Sequence, residues 1–198
     1  MKTSLKKSIA LIFTAVILAS SSMAATAGEN TKNVTTLSNV KNITKVVVSG
    51  NVKVMLVQDK NESVKVYDNY YSKNALVQQH GSELRISSFA PEVLTVVVYV
   101  NNLNSIEASD NATVSTFGKF NLLSLQVTLK DNAVADINSN TICLYSSVEG
   151  SAQLKLNGSA DVQSSIANNS ATTVDYTKRQ MLKDMVITGE IAANTIKK

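Results

Sequence analysis

The chain has 198 residues and a formal net charge of +4, with one cysteine, one histidine, one proline and no tryptophan. A lone cysteine excludes an intramolecular disulfide, and a lone histidine beside it excludes a conventional zinc cluster. Residues 1–27 hold three lysines and no acid, so the rest of the chain carries +1 (four less three) and its charge gives no reason to expect nucleic acid as a partner.

Lys2, Lys6 and Lys7 precede an apolar run over 9–19 and then a stretch of small residues, the three-part form of a secretory signal over residues 1–27. The run is shorter than the roughly 20 apolar residues of a bilayer span, and nothing similar follows. The expectation is one domain over 28–198, exported to the periplasm or cell surface, with no transmembrane segment in the mature chain. Cleavage fits the small-x-small patterns at 22–24 and 25–27.

Short β-type runs then follow one another. Residues 44–48 lead through Ser49-Gly50-Asn51 into 52–57, a strand, turn and strand rich in β-branched residues. Runs at 63–67, 76–79 and 83–87 come next; in the last, Leu84 and Ile86 alternate with Glu83, Arg85 and Ser87, the mark of one buried face. The run LTVVVYV at 94–100 is the most continuously apolar and is expected in the centre, with Pro91 in the loop before it.

From Asn101 the chain becomes periodic. The phrases ASDNATV, LKDNAVA, VEGSAQL and ANNSATT place turn positions at Asp110, Asp131, Gly150 and Asn169, spaced by 21, 19 and 19 residues. Leu129, Val148, Ala167 and Val186 precede the turns, and Ala133, Ala152 and Ala171 follow them, as a narrow core at a tight corner requires. Asp, Asn and Gly at the turns tolerate positive φ or bond to their own backbone. The phrase NGSAD at 157–161 reads as a second corner. A fixed period of this size predicts an all-β, right-handed parallel β-helix with coils of about 20 residues. An antiparallel β-sandwich with a hairpin every ~10 residues is the alternative.

The opening ITKVVVSGNVKVMLVQ, the middle LTVVVYVNNLNSIEASDNATV and the later EGSAQL and NGSADV phrases resemble the bacterial family described as "putative auto-transporter adhesin, head GIN domain", from Ile43 to the C-terminus. The resemblance implies a right-handed β-helix-like fold and no established enzymatic activity. The family's repeated corner is usually a Ser-Gly-type turn, whereas Asp-Asn stands at 110–111 and 131–132 here.

Candidate chemistry is sparse, and no catalytic residue or cofactor is expected. Asp110 and Asp131 occupy equivalent corners, where neighbouring carboxylates could recruit Ca²⁺ or, alternatively, cap their own turns. Tyr67, Tyr70 and Tyr71, with Lys65 and Lys73, form an aromatic and basic patch that could bind a ligand or cover an end of the fold. Cys143, in TICLYSSV, reads as a buried, inert thiol, and His80 as a loop residue. The function expected is a non-enzymatic surface or periplasmic module for adhesion or ligand binding through an extended β face. Its partner would be a glycan, a cell-envelope protein or a second copy. The alternative is a polysaccharide lyase or hydrolase on the same scaffold, which would need two placed acids from among Asp110, Asp131, Asp136 and Asp161.

Overall fold

Fifteen strands follow one another without a helix among the described residues of this computed structural model, which are 34–67, 75–168, 173–175, 179–181 and 184–188. They are β1 (Val34–Leu37), β2 (Lys45–Gly50), β3 (Val52–Gln58), β4 (Ser63–Tyr67), β5 (Ala75–His80), β6 (Glu83–Ser88), β7 (Leu94–Val100) and β8 (Ser105–Ala108). There follow β9 (Thr113–Phe117), β10 (Phe120–Leu129), β11 (Val134–Val148), β12 (Gln153–Ala167), β13 (Thr173–Asp175), β14 (Arg179–Met181) and β15 (Asp184–Thr188). All described residues fall within one compact unit, Lys32–Lys198.

The all-β expectation holds, but the parallel β-helix does not. All fifteen strands join one mixed, open half-barrel sheet in the order β1-β4-β7-β3-β9-β11-β10-β8-β2-β6-β5, with β12 to β15 branching from β11. Two findings overturn the solenoid. Strands β1, β4 and β7 pair antiparallel, as do β5 and β6. The early strands also pair out of sequence: β2 lies between β6 and β8, and β3 between β7 and β9. A chain winding forward coil by coil would stack its strands in rising sequence order along each face, whereas the orders here are β8-β2-β6 and β7-β3-β9. The sandwich alternative fails too, because the strands do not divide into two hydrogen-bonded sheets. The turn phrase is periodic only in the second half, and only there does the register follow it: Leu129 pairs with Val148, and Val148 with Ala167. At the last step Ala167 pairs with Thr188, two residues beyond the expected Val186.

Alternation builds the core. Val46, Val48, Val54, Leu56, Val96, Val98 and Ile106 point inward and are fully buried, while their strand neighbours are half-buried or exposed. Strand β7 keeps this alternation along its whole length and has neighbours on both sides, so it is interior, as expected. Most of the buried polar side chains lie later: Ser139, Thr141 and Ser146 on β11, and Gln163 and Ser165 on β12.

The long strands turn a corner without ending. In β10, β11 and β12 the alternation slips by one residue, leaving Leu123-Ser124, Ile142-Cys143 and Asp161-Val162 as consecutive pairs not fully buried. The expected second corner at 157–161 is therefore interior to β12, and the bend falls at its end. Within it, Gly158 has φ +102 and packs so closely on the paired Ser139 that a Cβ would lie 2.2 Å from that carbonyl oxygen.

Candidate functional site

The repeated turns stack into a column. Gly50 ends β2, and Asp110, Asp131 and Gly150 follow β8, β10 and β11, the next strands in the sheet; all four have positive φ, between +58 and +81. Glycine and aspartate are residues that tolerate this region. The carboxylates bond across the column: Asp110 Oδ2 accepts the Gly50 amide at 2.9 Å, and also the hydroxyl of Ser109 in its own turn at 3.4 Å, and Asp131 Oδ2 accepts the Asp110 amide at 3.2 Å. Asn132 Nδ2 donates to Asn111 Oδ1 at 3.4 Å, continuing the column one residue on. No group of three or more His, Cys, Asp or Glu side chains that could hold a metal occurs among the described residues.

A second feature lies on the outward face of β4, β7, β3 and β9. Register places Lys65, Val97, Met55 and Ser115 in one row across these strands, and Tyr99, Val57 and Phe117 in the next. These are the residues that alternate with the core, and they form an apolar patch on the outside of the sheet. Phe117 is 66% exposed. Lys65 Nζ sits 5.0 Å from the centre of the Tyr99 ring, within cation–π range. Lys53 and Lys119 are exposed beside the patch, whereas Asp136, in the Lys65 row, is paired with Lys155 at 3.3 Å. Of the predicted tyrosines, Tyr67 ends β4 and pairs with Thr95 at the border of this patch. Tyr70, Tyr71 and Lys73 lie outside the described residues.

A third feature borders the bend of the long strands. Gln58 clasps the start of β10, accepting the Asn121 amide at 2.9 Å and donating to the Asn121 carbonyl at 3.1 Å. From there a polar ladder crosses the strands: Asn140 Nδ2 donates to Asn121 Oδ1 at 3.3 Å, and Ser159 Oγ donates to Asn140 Oδ1 at 2.9 Å. The ladder lines a shallow, open depression of about 460 Å³ whose lining also includes Leu123, Ile142 and Asp161. Leu123 and Ile142 are 73% and 49% exposed.

Other groups lie apart from these features. Lys45 bridges Glu107 at 2.8 Å and Glu83 at 3.2 Å. The bond to Glu107 outweighs partial desolvation and, with Glu83, holds the Lys45 ammonium above the usual lysine range. Arg85 first, then Lys45, hold the Glu83 carboxyl below its usual range. Cys143 is half-buried, not buried as expected, because it falls at the bend where two consecutive residues turn outward. His80 is exposed and ends β5, so it belongs to a strand and not to a loop.

Sequence reasoning missed Tyr99 and Phe117, because only the pairing of β7, β3 and β9 brings them together. It missed the ladder too, although Asn121, Asn140 and Ser159 recur every 19 residues and that spacing is its signal.

An open β scaffold that displays rows of apolar, basic and amide side chains on its outward face has the layout of a surface-binding domain. The chain belongs to the family described as "Putative auto-transporter adhesin, head GIN domain", whose model matches residues 42–178. Among solved structures it is similar to a putative adhesin from Parabacteroides merdae, at 15% identity and a TM-score of 0.59, over 81% of this chain and 76% of that one. A putative adhesin from Parabacteroides distasonis matches at 14% identity and a TM-score of 0.57, over 79% and 76%. A protein from the same species described as a putative lipid binding protein matches at 12% identity and a TM-score of 0.57, over 81% and 80%. No curated protein matches the chain.

Proposed function

We propose that this chain is exported with residues 1–27 as a removable leader. It then acts as a non-enzymatic adhesion module at the periplasm or cell surface. Its partner is a negatively charged cell-envelope protein, held against the outward face of β4, β7, β3 and β9. The observation that carries this reading is the outward row of Tyr99, Val57 and Phe117 beside Val97 and Met55. Contiguous apolar surface rimmed by polar residues marks interaction sites on soluble domains. Lys53, Lys65 and Lys119 set its sign, favouring an acidic partner and disfavouring a second copy that brings the same lysines.

The carbohydrate-active alternative has less support. Hydrolysis needs two carboxylates flanking a bound sugar, whereas Asp110 and Asp131 hold main-chain amides.

The test measures binding of residues 28–198 to immobilised envelope fractions, untreated, protease-treated or periodate-treated. Binding should be lost after protease, survive periodate, and fall at least tenfold in F117S and in K53E/K119E. Binding that survives protease, or that neither variant weakens, would overturn the reading.

A further inference from the structure

We infer that the open depression along the bend of β10, β11 and β12 is a second binding site, for a neutral, extended polysaccharide chain; it does not rest on the adhesion face. Its polar wall is the ladder of Asn121, Asn140 and Ser159, which lie on adjacent strands. Neighbouring strands are spaced about 4.8 Å apart. That interval is comparable to the advance of one pyranose ring in an extended β-1,4-linked chain, so successive sugars can meet successive rungs.

The ladder bonds hold the amides in place before any ligand arrives, which lowers the ordering cost of binding. They do not exhaust them. An amide group carries two N–H donors and two acceptor positions, and Asn140 uses one donor toward Asn121 and one acceptor position toward Ser159. Polar capacity of both signs therefore remains on Asn140, beside Asn121, which suits hydroxyl groups that both donate and accept.

The row beside the ladder is aliphatic. Leu123 and Ile142 are turned outward by the slip in alternation, and together they offer a ridge for the C–H face of a sugar ring. A pyranose is amphiphilic in the same way, with hydroxyls at its edge and C–H groups on its faces. Asp161 is the one charged residue in the lining, and its carboxylate disfavours uronate or sulfated chains.

Cys143 provides an internal reporter, because it adjoins Ile142 at the bend and is half-buried. The experiment measures the rate of its alkylation by a maleimide in residues 28–198, with cellotetraose, xylotetraose or chitotetraose added, and with tetragalacturonate as the anionic comparison. At least one neutral tetrasaccharide should slow alkylation threefold or more in a saturable way, and tetragalacturonate should not. In N121A/N140A and in L123D the half-saturating concentration should rise at least tenfold. Both changes lie at the surface, and an unchanged thermal melt confirms the fold; F117S, on the adhesion face, should leave the response unaltered. Three results would overturn the site: no slowing by any neutral probe, equal slowing in the ladder variants, or stronger slowing by the anionic probe.

Discussion

Gly158 and Gly81 both have positive φ, yet they sit in opposite surroundings, and the difference sets the cost of replacing them. A Cβ on Gly158 would lie 2.2 Å from the Ser139 carbonyl oxygen, while one on Gly81 meets nothing within 4 Å. G81A should cost only the left-handed strain, about 1–2 kcal/mol, and G158A about 3 kcal/mol or more, because backbone must also move. Urea denaturation of the two variants checks the ranking. At the stacked corners, D131A should cost about 2 kcal/mol, since a charge-assisted bond to the Asp110 amide disappears. D131N should recover most of that, because Asn tolerates positive φ and retains an acceptor. The same corners test the cation idea: bonding to the amides accounts for the carboxylates, so millimolar calcium should leave the melting temperature unchanged. A calcium-dependent rise lost in D131A would show a bound ion instead. The aspartates were visible as turn formers in sequence. That they cap the neighbouring turn was not, because the amide each one meets is 60 or 21 residues away.

At the scale of strands, the core changes character along the sheet. Leu56 on β3 is enclosed by β7 and β9 and fully buried, so L56A should cost about 2–5 kcal/mol. On β11 and β12 the interior holds Ser146 and Ser165, whose hydroxyls share a bond of 2.6 Å. S146V or S165V alone should cost about 1–3 kcal/mol by leaving a buried hydroxyl without that partner, and S146V/S165V together should cost less than the sum. Equal additivity in a double-mutant cycle would contradict the coupling. The Lys45 bridge between β2, β6 and β8 gives a pH signature. Lys45 titrates above its ordinary range when folded, so its contribution is complete below the unfolded lysine pKa and fades as pH rises through the folded value. Glu83 behaves in the opposite sense: its contribution is present above the unfolded carboxyl pKa and fades as pH falls through its lower folded value. Both groups are solvent-accessible, so the effects are small and screened by salt. K45M should flatten the stability profile at alkaline pH. Strand existence was well marked by alternation from Lys45 to Val100. The bend inside β10 and β11 was not, because a single slip at 123–124 or 142–143 leaves β propensity unchanged on both sides, whereas in β12 the NGSAD phrase at 157–161 pointed to it.

For the molecule as a whole, the period of the turn phrase reported the parallel register between β8, β10, β11 and β12 and was silent about the first half. Strands β2 and β3 find their neighbours among β6 to β9, pairings that close loops with no local signature. The antiparallel β1, β4 and β5 likewise carry no repeat to announce them. Function follows the same division. The ladder repeats with the turn phrase and could be read along the chain, whereas Tyr99, Val57 and Phe117 become one surface only through non-local pairing. The central claim is that this surface holds the envelope partner, and F117S tests it most directly because Phe117 is 66% exposed and its loss leaves the core intact. Binding of the wild-type and F117S proteins to the immobilised envelope fraction should differ at least tenfold, with identical thermal melts. Equal binding would contradict the account.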